Sequence, residues 1–418
     1  MFASVTVVGL IPRKGRQALQ TALLGLLLAG GPALAGDLSG SCRVADQPAA
    51  TLLIPYFEVE LDDADGATTL ISVNNGGSRS TAARVVLWTD WGVPTLAFDI
   101  YLTGYDVQTL NLRDLFANGS LPVTGTRVSH VGALSSPAAQ PKSSGCETAG
   151  VPRLNATERQ YLRAAHTGQP VEAGRCAGSG KSGRNLATGY ITVDAVNRCS
   201  ARTLGATRNT PADPAYFADG GTGLASNSNV LWGDYFYMNR RRGQADSQSA
   251  VHIVADADAF GPGDYTFYGR YNEFDSRDNR APLSSLYYAR FIKGGAFFGE
   301  TSMVVWRDNR QSGGALSECG RNPSWAPLGE YQLVAFDEEE NPSAFPNSNA
   351  FPVSTQKVKV GSPALPVTGT AGWLMIDLWH RDESHAQGWV SVLMKGEGGR
   401  FSVGHQAVRA DDLCNFGL

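Results

Sequence analysis

The chain has 418 residues, 42% of them hydrophobic and 18% charged, with 35 basic residues against 39 acidic ones and a formal charge of −4. That balance leaves no basic stripe for nucleic acid or an anionic membrane, and the length admits one large or two ordinary domains. Six cysteines, all beyond residue 41, are an even set suited to an oxidising compartment.

The first thirty-five residues read as a secretory leader. Arg13, Lys14 and Arg16 precede an apolar run from Ala18 to Ala29, and Gly30-Gly31-Pro32-Ala33-Leu34-Ala35 ends in small-x-small. Cleavage is expected after Ala35, and the run is too short to span a bilayer. The leader takes three of the 35 basic residues and none of the 39 acidic ones, so the mature chain carries a formal charge of −7. Leu38-Ser39-Gly40-Ser41-Cys42 is a poor lipidation box, because its leucine sits one position too far out. The expected destination is the periplasm, the cell surface or the medium, with no transmembrane segment in the mature chain.

From there the pattern is all β. Runs rich in Val, Ile, Tyr, Phe and Trp recur between Gly, Asn, Asp and Pro clusters. Strands are expected near 51–59, 68–74, 82–89, 96–103 and 105–112. Others are expected near 188–196, 229–238, 249–256, 264–271, 286–292 and 301–306, and a last group near 328–336, 353–360, 371–379, 388–395 and 401–409. Phe98-Asp99-Ile100-Tyr101-Leu102 alternates as a half-buried strand should, whereas Val85-Val86-Leu87-Trp88 suits a strand covered on both sides. One helix interrupts the series. Asn155 caps it, Glu158 completes a capping box, and Gly168 stops it after about His166. It lies in a Gly/Ser/Pro-rich insertion, about 127–187, for which a Cys146–Cys176 bridge is the expected staple. Cys42–Cys414 is the expected tie between the chain ends. Cys199 and Cys319 complete the set, and a second irregular stretch covers about 200–227.

The fold class that follows is two immunoglobulin-like antiparallel β-sandwiches, 36–262 and 263–418, with the boundary near Gly261-Pro262-Gly263 and one short helix in a disulfide-bound insertion. A single large sandwich is the alternative. Trp followed closely by Asp recurs at Trp88, Trp232, Trp306 and Trp379, and Arg-Asp-Asn-Arg at 277–280 and 307–310. These echoes either record a duplicated sandwich or reflect the habit of Trp to close a core and Asp to start a turn.

Ile54-Pro55-Tyr56-Phe57, Trp88-Thr89-Asp90-Trp91 and Leu102-Thr103-Gly104-Tyr105-Asp106 resemble uncharacterised exported bacterial proteins with immunoglobulin-like sandwiches. The resemblance covers mainly 51–116 and more loosely 187–308. It implies a fold and an exported location, and it carries no activity or catalytic residue.

The motifs are weak. Ala177-Gly178-Ser179-Gly180-Lys181-Ser182 lacks the first glycine of a phosphate loop, and no nucleophile elbow occurs. Leu121-Pro122-Val123-Thr124-Gly125 and Leu365-Pro366-Val367-Thr368-Gly369 match a wall-sorting signal without its apolar run. His380, His385 and His405 lack metal-ligand spacing. Asp62, Asp63 and Asp65, and Asp256 and Asp258, are the acidic turns that suit calcium, the one cofactor the sequence suggests. Trp91, Trp325 and Trp389 lie near turns or strand ends, where a ring can stack on a sugar or anchor a protein. The expected function is non-catalytic binding or scaffolding, with a glycan or an envelope protein as partner. The rivals are a glycan-directed hydrolase with unplaced carboxylates and a calcium-stabilised adhesion module.

Overall fold

The computed structural model describes residues 47–410, apart from 123, 125–152, 181, 184, 206–208, 218–222, 261–262, 270, 272–277, 309–315, 322–327, 329–331, 346–350, 380–385 and 397–400. The leader, Cys42, Cys146, Cys414, Trp325, His380, His385 and the expected boundary at 261–262 therefore lie outside the described residues. Residues 42–418 belong to one compact unit.

The elements run in chain order as β1 (Thr51–Glu60), β2 (Ala67–Asn75), β3 (Thr81–Trp88), β4 (Pro94–Leu102) and β5 (Val107–Asn111). After the helix Ala156–His166 come β6 (Pro170–Glu172), β7 (Arg175–Cys176), β8 (Leu186–Val196), β9 (Thr203–Leu204), β10 (Leu231–Asn239), β11 (Gln244–Ser249) and β12 (Val251–Ile253). The later strands are β13 (Leu286–Ile292), β14 (Glu300–Arg307), β15 (Ser317–Glu318), β16 (Leu333–Asp337), β17 (Pro342–Ala344) and β18 (Thr355–Lys359). The last are β19 (Ala371–Asp377), β20 (Gly388–Gly396), β21 (Phe401–Gln406) and β22 (Val408–Arg409).

All strand pairs are antiparallel. A six-stranded sheet, β12-β1-β8-β3-β4-β9, lies across a four-stranded one, β11-β10-β2-β5. The alternate side chains Leu52, Val85, Val193, Ile71, Val73 and Tyr235 fill the space between them. Downstream, a five-stranded sheet, β17-β16-β19-β13-β22, faces a four-stranded one, β18-β14-β20-β21, over Tyr287, Leu333, Ile376, Met303, Val305 and Val392.

Apart from β9, which has no counterpart among the described residues, the two strand orders are the same, and so is the register. Val193 lies opposite Leu52 on one side and Val85 on the other. Ile376 lies likewise between Tyr287 and Leu333. In both halves the chain leaves one sheet and enters the other through a single buried alanine, Ala250 between β11 and β12 and Ala407 between β21 and β22. The expected strands 249–256 and 401–409 are each divided there. Counting along the ladders makes Trp88 equivalent to Phe336, Tyr190 to Trp373, and Trp232 to Trp389. The Trp-Asp echoes are not the trace of this repeat, because Trp306 falls opposite Asn74 in the same count.

The expected strand near 264–271 does not form. Tyr268 N–H donates to the Asp278 carboxylate (2.8 Å), and Gly269 and Tyr271 close turns onto Thr266 and Tyr268. Phe267, Tyr268 and Tyr271 instead cover the outer face of the six-stranded sheet, with Tyr216 and Phe217 beside them over Leu53, Val86, Trp88 and Tyr190. Arg280 anchors this cover. Its guanidinium lies 3.3 Å from Asp278 and 3.6 Å from Asp194, and donates to Thr51 and to the Ser226 carbonyl. All three charged groups are fully buried, and burial raises the Asp194 carboxyl despite Arg280 and the hydroxyls of Thr51, Tyr216 and Tyr268.

The helix forms as expected. Asn155 accepts from Glu158 N–H (2.9 Å), and Glu158 returns the bond to Asn155 N–H (2.8 Å). Leu162, Ala165 and His166 are its buried stripe. His166 Nδ1 donates to the Thr188 carbonyl (2.9 Å), leaving Nε2 to accept from the Thr95 hydroxyl (2.8 Å). Burial lowers its pKa to about 4. Gly189 makes room for this ring, since a Cβ there would run into the Trp88 carbonyl and meet His166 Nδ1 at 3.0 Å.

The expected Cys146–Cys176 bridge is replaced by Cys176–Cys319. β7 pairs with β15, which brings the two Cα atoms to 4.9 Å and ties the insertion to the downstream half. Cys199 is also disulfide-bonded. Among the described residues no helix is long and apolar enough to cross a membrane.

Candidate functional site

The two halves meet along a polar cleft of about 720 Å³. A bulge between Ile54 and Phe57 shifts the register of β1, and beyond it Phe57 and Val59 point into the core while Glu58 and Glu60 line the cleft. Arg242 and Asp246 come from the β10–β11 hairpin, Lys357 from β18 and Lys395 from β20. Lys357 Nζ sits 2.9 and 3.0 Å from the two Glu58 carboxylate oxygens and 5.6 Å from the centre of the Tyr237 ring. Lys395 donates to Gln244 (3.1 Å) and lies 3.9 Å from Asp246. Burial, then the charge of Lys357, lowers the Lys395 ammonium pKa. The Tyr56 and Tyr237 hydroxyls are held protonated by burial, with Glu58 adding to the effect, and donate to Glu58 (3.2 Å) and to the Tyr56 carbonyl (3.0 Å). A smaller neighbouring cleft of about 290 Å³ shares Glu58 and Lys357 and adds Asp90, Ser179 and Thr355.

Among the described residues, three acidic and three basic side chains line the main cleft, and two of the acids are held by lysines across the junction between the halves. The Thr95 hydroxyl beside His166 has the separation of a nucleophile and base, but both are fully buried between helix and sheet.

The sequence-named residues are scattered. Asp62, Asp63 and Asp65 pair with Arg163 (3.0 Å), Arg241 (2.5 Å) and Arg240 (3.5 Å), so arginines hold the acidic turn. Asp256 accepts from the backbone of Asp258 and Ala259. Among the described residues no group of three metal-ligating side chains comes together. Ser179 N–H donates to Asp90 (2.9 Å), which makes the glycine-rich stretch a tied loop. Two aromatic candidates are corrected: Trp91 is 1% exposed beside Cys176, and Trp389 is 3% exposed against the first half. A strand end is open only where nothing packs over it, and distant chain covers both.

The open rings lie elsewhere. Trp232 (44% exposed) and Phe236 (37%) stand on the outer face of the first four-stranded sheet. Tyr288 (39%) stands on the outer face of the five-stranded sheet, edge-on to half-buried Trp373, which stacks on half-buried Phe336 at 4.1 Å. The alternation in Trp232-Gly233-Asp234-Tyr235-Phe236 is the signal that could have located the first pair. No protein-family model, curated protein or solved structure matches the chain.

Proposed function

We propose that the chain is an exported, non-catalytic binding protein of two immunoglobulin-like sandwiches, whose cleft accepts a neutral, polyhydroxylated ligand such as a glycan segment. The observation that carries this reading is the charge balance of the cleft among the described residues: three acids face three bases, with Glu58 held by both oxygens. Such a wall favours a ligand that both donates and accepts hydrogen bonds and bears no net charge, and its volume suits a few sugar rings. Export is supported by the leader and the disulfides. The immunoglobulin-like reading is supported by β2 pairing with β5 in one sheet and β3 with β8 in the other. It departs from that plan in β1 and β10, which lie in each other's expected sheets.

The test is a retardation gel of purified 36–418 against soluble polysaccharides, with the eluted sugars checked for cleavage. Retardation without cleavage, weakened by Arg242→Ala, supports the reading. Cleavage would overturn it in favour of a hydrolase, and no retardation by any sugar would remove the glycan.

A further inference from the structure

The internal repeat has two unfilled places. The downstream half packs on the upstream half through the outer face of its four-stranded sheet. Trp306 and Trp389 join the cluster over Trp88 and Tyr190, with Trp306 edge-on to Tyr190 at 5.9 Å, while Val304 and Leu393 join the first core. Lys357 and Lys395 bind Glu58 and Asp246 at the margin. The same outer face of the upstream half carries Trp232 where the downstream half has Trp389, and Phe236 where it has Leu393. Both rings are open to solvent.

The receiving face is repeated too. Trp88 and Tyr190 are cross-strand neighbours, stacked with planes 2° apart, and are buried. Their equivalents Phe336 and Trp373 are cross-strand neighbours, stacked with planes 12° apart, and are half-buried beside exposed Tyr288 and Val408. The upstream face is covered by Tyr216, Phe217, Leu224, Phe267, Tyr268 and Tyr271. The link between β8 and β10 that supplies part of this cover runs over 197–230, whereas its downstream equivalent between β19 and β20 runs over 378–387. The two open faces also carry opposite charges without ion-pair partners among the described residues, Asp234 on the first and Arg290 on the second.

We propose that a second copy of this chain seats the Trp232–Phe236 face of its upstream half on the Phe336–Trp373–Tyr288 face of the downstream half, repeating the internal contact between chains. The contact joins different patches, so each added copy leaves one face of each kind open and assembly continues head to tail. Clustered aromatic rings are the usual energetic centres of such interfaces.

Sedimentation velocity of purified 36–418 over a wide concentration range tests this, alongside Trp232→Ser and Trp373→Ser. The wild type is expected to grow past a dimer, and each variant alone to weaken association at least about tenfold. An equal mixture of the two variants retains one intact face of each kind and is expected to stop at a dimer. A wild type that stays monomeric overturns the proposal, as does either single variant that still pairs with itself. Unchanged melting temperatures show that the variants fold; if either does not, Phe236→Ser and Tyr288→Ser form the second pair. The outcome is independent of glycan binding, which uses the cleft.

Discussion

Trp88 and Phe336 occupy the same place in two copies of one strand order, yet the first is sealed and the second is half open. The difference does not arise in the sheets. It arises in the chain between strands: the β8–β10 link is longer than its β19–β20 equivalent, and its Tyr216, Phe217 and Leu224, with Phe267, Tyr268 and Tyr271 from beyond β12, lie over the first sheet. The stability of a sheet face is thus set by chain that belongs to neither strand, and the same ladder serves as core in one half and as surface in the other.

Removing the anchor of the cover should do the most damage. Arg280→Ala leaves Asp194 and Asp278 buried without their cation, and a loss of about 4 kcal/mol is expected in chemical denaturation. A loss under about 1 kcal/mol would show that the cover is held by packing alone. Trp88→Ala, beneath the cover, should cost about 4 kcal/mol through the cavity it leaves. The twin substitution Phe336→Ala should cost only about 1 kcal/mol, since its ring is already half solvated. Equal costs in the two halves would erase the comparison.

Between these lies a pH effect confined to the upstream half. His166 titrates at about 4 in the fold and near its ordinary value of about 6.5 in the unfolded chain. Its neutral form belongs to the folded state, so this contribution is fully present above about pH 6.5. It declines as pH falls toward about 4 and levels off below, a span of about 3 kcal/mol. His166→Gln should flatten that part of the stability profile measured by urea titration. An unchanged profile would mean that the ring stays solvated.

The elements were legible because their signals are local. The alternation of β4, the Asn155–Glu158 box and the Gly168 stop all act within a few residues. What escaped depends on distant chain. The stretch Tyr265–Tyr271 has the composition of a strand, but Asp278 captures its backbone and turns it into a lid. Cys176 found Cys319 rather than Cys146 because β7 and β15 pair across 143 residues of sequence. Trp91 and Trp389 sit near strand ends, as read, and are buried because chain from elsewhere packs over them. The cleft was invisible for the same reason: Glu58 and Lys357 are 299 residues apart in sequence.

The Cys176–Cys319 bridge has a mechanical consequence. It encloses β8 through β15 in a covalent loop, so a pull applied at points outside that loop passes through the sulfurs and not through the enclosed strands. Under such a pull that stretch would extend only after reduction, which makes the bridge a fuse for the junction between the two halves.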